Sequence, residues 1–290
     1  MRRSWTRTRT MAALGAGGLL AAGAIAVAVG SYTTEATIAA HVVRVREAGD
    51  ARPSPQPDSG AMAALPAPVQ AYFRAVFPDG LPPPVTAVAL EMAGDFRRPL
   101  TEDFAPTTAE QTIATGTPAL VFAATTPVLS GLVWARAYDA FADGRMEMKA
   151  RILSTITVVD EAGSPALDRM SLRRWLLESP LYPMALLPGG PVHWQAIDAV
   201  RARAVVTAMG QTASLVATFR ADGLLERFDA EEDGDLSTPY HGSGEHVSRS
   251  DYQQVDGVMV PMAFSIARAA AGRILPFWTG RVTRITFLPM

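Results

Sequence analysis

The chain has 290 residues, 49% of them apolar and 19% charged, a formal net charge of −2 and no cysteine. Length and apolar content suffice for a substantial core, in one large domain or two small ones. The near-neutral balance, without a Lys/Arg field in the body of the chain, argues against nucleic acid as a partner, and the missing cysteines exclude disulfides, thiol nucleophiles and cysteine-ligated metal.

Arg2, Arg3, Arg7 and Arg9 precede an uncharged run over residues 11–30. As a helix rising about 1.5 Å per residue, that run spans the hydrocarbon core of about 30 Å, and its basic flank belongs in the cytoplasm. The expectation is a cytoplasmic tail (1–10) and a membrane anchor (11–30), with the rest of a single-pass cell-membrane protein outside the cytoplasm. A secretory signal peptide is the alternative: Ala26-Val27-Ala28 is an acceptable cleavage site, and cleavage would make the protein secreted. Arg2-Arg3 lacks the rest of a twin-arginine export motif.

Residues 31–46 extend the anchor helix above the membrane, and GDARPSPQPDSG (49–60) has the composition of a solvated, disordered linker. The stalk and linker thus cover 31–60, and a single β-rich domain is expected over 61–290. It opens with a helix in which Pro68 suits the first turn and Val69, Tyr72, Phe73, Val76 and Phe77 share one face.

Strand-like stretches follow at 85–96, 107–114, 119–124 and 131–141. After Asp143-Gly144, Met146, Met148, Ala150 and Ile152 alternate with Arg145, Glu147, Lys149 and Arg151, the pattern of a strand with one buried face. Further strands are expected at 202–208, 212–220, 224–230, 251–255, 258–267 and 280–288. Many strands, short turns and few helices give a mainly β (α+β) fold, an antiparallel meander whose apolar face needs a cover.

LRRWLLESPLYPMALLP (172–188) supplies that cover. Ser171 can cap a helix in which Leu172, Trp175, Leu176 and Ser179 share a face, and Pro180 stops it. Tyr182, Met184 and Leu187 continue the apolar run until Pro188-Gly189-Gly190. The expected architecture is a curved sheet or half-barrel with a central helical plug.

No catalytic signature stands out. HGSGEH (241–246) holds His241, Glu245 and His246, but in a glycine-rich setting that reads as a solvated turn, so no zinc site is assigned. DAEEDGD (229–235) lacks the spaced ligands of a calcium loop. No Gly-x-Ser-x-Gly elbow or phosphate loop is present. Glu178 sits among leucines and needs a cationic partner, Arg173 or Arg174; ion pairing, a ligand head-group contact and acid–base work are its possible uses. Trp134, Trp175, Tyr182, Trp194 and Trp278, with Met146, Met148, Met184, Met259 and Met262, are either core or the lining of a lipid cavity.

LPAPVQAYFRAVF (65–77), AGDFR (93–97), Gln111, DAFADGRMEMKARIL (139–153), RRWLLESPLYPMALLP (173–188), Trp194, DYQQVDGVMVP (251–261) and FWTGRVTRI (277–285) together resemble an uncharacterised bacterial family, a domain of unknown function preceded by one membrane segment. The chain departs from that pattern at Ala119-Leu120-Val121-Phe122 and near Tyr240. More remotely, the order of anchor, strands, inserted helix and final strands is similar to outer-membrane lipoprotein carriers. That resemblance implies a half-barrel binding acyl chains.

The resulting expectation is a membrane-anchored, non-enzymatic protein without cofactor that holds an apolar or lipid-like ligand. Its candidate contacts are Leu172, Trp175, Leu176, Glu178, Tyr182, Met184, Leu187 and Trp194. The alternative is an envelope scaffold or interaction domain with a fully packed core.

Overall fold

The computed structural model describes residues 3–98, 101–129, 131–234 and 244–290, with side chains from Gly17 onward. Its strands are β1 (Val85–Arg97), β2 (Phe104–Ala114), β3 (Ala119–Leu129), β4 (Val133–Ala142), β5 (Arg145–Ile152), β6 (Ile156–Ala162), β7 (Val192–Ala196), β8 (Arg201–Ala208), β9 (Gln211–Phe219), β10 (Leu225–Asp229), β11 (Glu245–Val255), β12 (Val258–Ala270) and β13 (Arg273–Pro289). They form one sheet in the order β6-β5-β4-β3-β2-β1-β13-β12-β11-β10-β9-β8-β7. Every pairing is antiparallel, and the first long strand zips to the last, Val85 opposite Pro289 and Phe96 opposite Trp278.

The sheet is mainly β architecture of the expected curved, open kind. Its curl is wide enough that Gln211, at the start of β9, donates to the carbonyl of Gly144 in the β4–β5 turn at 3.2 Å. β6 and β7 were not anticipated. Both are edge strands, short and partly or wholly wet on both faces, so neither shows the alternation that marks a half-buried strand. In β6 a register shift opposite Ala150/Arg151 adds a bulge, which with its short length discourages pairing with another chain.

α3 (Ala67–Val76) buries Pro68, Val69, Tyr72, Phe73 and Val76, the face read from its 3.6-residue period. α1 (Arg3–Ala51) is one continuous helix, and its part from Gly17 is long and apolar enough to cross a membrane. Its C-terminal half lies on the convex face of the sheet, where Ile38 and Val45 pack with Ala114, Val121, Ala123, Tyr138 and Ala140. Arg136 locks it there, its Nε 2.8 Å from Glu35 Oε1 and its Nη2 2.6 Å from Glu110 Oε1. Gly49 allows the closest approach, since a side chain there would collide with the Thr86 carbonyl.

Residues 49–60, expected to be disordered, have defined structure, although 50–52, Gln56 and 58–60 are exposed. α1 runs to Ala51, and Ser54 is buried with its N–H donating to Val85 O at 2.8 Å and its hydroxyl accepting from Val85 N at 3.0 Å. Asp58 caps the short α2 (Ser59–Ala63), accepting from Ala61 N at 2.7 Å. Composition reports the average preference of a segment for solvent. It does not see that the start of β1 offers unpaired backbone groups to this stretch.

Candidate functional site

β6 and β7 are the two edges of the sheet, so the chain between them must cross the concave face. That connection is the plug. α4 (Pro165–Glu178) begins at Ser164, whose side chain accepts from Leu167 N, with Pro165 at the first helical position. Ser171, expected as the cap, lies inside the helix; Ser164-Pro165 is the stronger start signal because proline forfeits no intrahelical bond there. Pro180 ends the α-helix as expected, and two 3-10 turns, Ser179–Leu181 and Pro183–Leu186, carry the chain on.

Leu172, Trp175, Leu176, Tyr182, Met184 and Leu187 all have 0% exposure and belong to the main core. Trp175 donates its indole N–H to Ala114 O at 2.9 Å, and the Tyr182 hydroxyl donates to Trp175 O at 2.5 Å. Trp194, on β7, is half-buried at the far end of the plug and donates to Leu186 O at 3.0 Å. The eight candidate residues are therefore brought to one continuous region, each packed against protein.

The plug is tied to the sheet by polar contacts. Arg174 bonds Glu178 Oε1 at 2.9 Å and Asp139 Oδ2 on β4 at 2.6 Å, and its guanidinium lies 4.6 Å from the Phe122 ring centroid. Gln111 on β2 donates to the other Glu178 oxygen. Arg173 pairs with Glu245 on β11 at 2.8 Å, and Asp168 accepts from Met146 N on β5 at 2.8 Å. Burial pushes the Asp139 carboxyl up, with Arg174 acting against it. Burial also works to lower the Arg174 guanidinium, but Glu178 and Asp139 more than reverse this and keep it charged.

Arg249, on β11, is buried and donates to Leu177 O at 3.2 Å, with its guanidinium 5.8 Å from the Phe264 centroid. Its Nε and the nearby Tyr72 hydroxyl make no hydrogen bond to the described residues. Burial lowers the Arg249 guanidinium, and Glu178, Tyr252, Tyr182 and Tyr72 oppose it. Glu178 and its arginine partner were legible in the sequence. Asp139, Arg249 and Glu245 were not, because they come from strands far along the chain.

On the convex side an open groove of about 520 Å³ runs between α1 and the sheet, lined by Ser31, Glu35, Glu110, Trp134, Arg136 and Ser154 among others. Its lining is largely polar.

Among the described residues no cluster of three or more histidines, aspartates or glutamates could hold a metal. His241 lies outside them, whereas Glu245 and His246 begin β11 instead of forming a turn. His246 Nδ1 is 2.6 Å from Asp229 Oδ1. The acidic run is occupied similarly, with Glu231 on Arg203 at 2.5 Å and Glu232 on Arg169 at 3.2 Å. Burial would raise the Asp229 carboxyl, but hydrogen bonds from His246 and Arg227 hold it below the usual range. A depressed folded-state pKa gives stability that is present above the unfolded value and lost as pH falls through the folded one. Thermal unfolding followed from neutral pH to below about 4 should show that loss. Asp229→Asn should flatten this part of the profile.

Together these features define an open antiparallel half-barrel, preceded by one apolar N-terminal helix and filled by a plug joining its two edges. Over residues 63–287 the chain belongs to DUF6920, a family of unknown function. No curated protein matches it. Among solved structures, it is similar to a domain classed as outer membrane lipoprotein-sorting from Vibrio parahaemolyticus, at 6% identity and a TM-score of 0.38, covering 69% of this chain and 85% of that one. It is also similar to a LolA superfamily protein from Nitrosomonas europaea, at 9% identity and a TM-score of 0.36, covering 78% and 96%.

Proposed function

We propose that this chain is a membrane-anchored, extracytoplasmic, non-enzymatic binding protein whose half-barrel takes up an apolar or lipid-like molecule when the plug withdraws. The observation that carries the reading is the nature of the cover. The concave face, lined by Leu90, Ile113, Leu120, Phe141, Leu215, Phe228 and Phe264, is closed partly by α3 and otherwise by one inserted segment tied to the strands by the polar contacts of Arg174, Glu178, Arg173 and Asp168. Withdrawing that segment would uncover an apolar trough with the Arg249 guanidinium and the Tyr72 hydroxyl inside it. Such a surface suits an acyl chain with a polar head. The candidate ligand contacts are the eight plug and edge residues already named.

A second reading has its own support. The absence of exposed surface on Leu172, Trp175, Leu176, Tyr182, Met184 and Leu187 is what a permanently packed scaffold domain would show.

The two readings separate when the full chain, in vesicles, is exposed to a photoactivatable fatty acid and the labelled peptides are mapped. Adducts on the concave strands β9 to β12 and on the plug are expected, rising in Arg174→Met, where the tie to Asp139 is gone. Adducts confined to residues 11–30, with no lipid in organic extracts of the washed protein, would put the scaffold reading in place of ours.

A further inference from the structure

Large apolar side chains gather, exposed, at one end of the sheet. Leu129 and Leu132, 64% and 80% exposed, flank the β3–β4 tip, and Ile156, 62%, follows the β5–β6 turn. These two hairpins are neighbours along the sheet, with tips two strand spacings, or about 10 Å, apart. The tip between β3 and β4 belongs to AATTPVLSGLVWA (123–135), which carries no charge.

The same end of the sheet is where α1 departs from it. A β-carbon on Gly30 would lie 2.5 Å from the Ser154 carbonyl oxygen in the β5–β6 turn, so helix and turn touch at that level. Gly30 also closes the segment (11–30) expected to span the membrane, and toward the N-terminus Val29, Ile25, Leu20 and Leu19 are all exposed. Just beyond, toward the domain, stand the exposed Tyr32 and the groove-lining Trp134, amphipathic rings of the type found at membrane–water interfaces. Leu132 is two residues from Trp134 along the strand direction, about 7 Å farther toward the level of the uncharged run. The Glu35–Arg136 pair lies on the domain side of this belt.

We propose that these two hairpin tips form a second membrane contact, with Leu129, Leu132 and Ile156 inserted at the headgroup–acyl boundary of the leaflet from which α1 emerges. The occupant of this apolar rim is the bilayer itself, because a spanning α1 brings that surface to the tips. Such a contact fixes the tilt and rotation of the half-barrel on the membrane. The proposal rests on the anchored reading of α1.

The chain has no native cysteine, so single cysteines can be labelled without background. Leu132→Cys, Ile156→Cys, Ala22→Cys in α1 and Asp143→Cys at the opposite end of β4 would each carry an environment-sensitive fluorophore in the full chain. Each would be reconstituted into phosphatidylcholine–phosphatidylglycerol vesicles containing spin-labelled lipid quenchers. Strong quenching is expected at positions 22, 132 and 156 and none at 143. Quenching at 132 should be strongest with the quencher shallow in the acyl chain. Quenching at 22 alone would overturn the rim contact while leaving the anchor intact, and no quenching at 22 would overturn the anchor itself. A blue shift at 132 that follows the protein-to-lipid ratio and ignores the quencher would show that a second copy of the chain covers the rim, which also overturns the proposal. Leu129→Asp with Leu132→Asp, both at exposed positions, should leave thermal unfolding unchanged while abolishing the quenching at 156.

Discussion

Trp175→Ala is expected to destabilise the protein by about 3–5 kcal/mol, a large part of the roughly 5–15 kcal/mol available to an ordinary domain. The indole has no exposed surface, so its removal leaves a cavity that the surrounding leucines can refill only partly. The hydrogen bond from the indole to the Ala114 carbonyl is lost as well, which removes about 0.5–1.5 kcal/mol. Trp175→Phe helps to separate the two contributions, since it loses the N–H entirely but only part of the ring volume. Urea unfolding of wild type and both variants measures them. A cost near 1 kcal/mol for the alanine variant would mean that the plug spends much of its time withdrawn in solution, since contacts missing from the populated state cannot be lost.

Removing one charge from the Arg174–Glu178–Asp139 cluster should cost a comparable amount. Glu178→Ala leaves Arg174 with Asp139 alone and Gln111 without an acceptor, and breaking a buried pair in this way typically costs about 3–5 kcal/mol. Replacing the whole cluster behaves differently. Arg174→Met, Glu178→Leu and Asp139→Leu together remove the three charges of this cluster, and replacing a whole buried cluster by apolar groups is often neutral or stabilising by about 1–4 kcal/mol. If the cluster exists to let the plug move, the triple variant should be at least as stable as wild type yet take up less of the photoactivatable fatty acid. Equal uptake would show that the charges have no part in plug movement.

The same residues illustrate what pattern can and cannot carry. The alternation through Met146, Met148, Ala150 and Ile152 and the helical spacing from Val69 to Phe77 are local consequences of periods of 2 and 3.6 residues, so they specified the long strands and α3 directly. The apolar run at 172–188 likewise announced a buried segment, and Glu178 announced a partner. Ser164-Pro165 is a helix-start signal that the reading from Ser171 passed over.

By itself the sequence determined a mainly β antiparallel fold, an apolar N-terminal helix and a buried central plug, because each follows from composition or short-range periodicity. Tertiary structure alone decided the remainder. It made β6 and β7 the sheet edges and so sent the plug across the concavity, laid Ile38 and Val45 of α1 on the convex face, and packed Ser54 against Val85. It also gathered Asp139, Gln111, Glu245 and Arg249 around α4. These relations join residues tens to about two hundred positions apart, and no local period records them. They arise when the β1–β13 pair joins the two halves of the sheet, and the apolar surface on each face then has to find a cover.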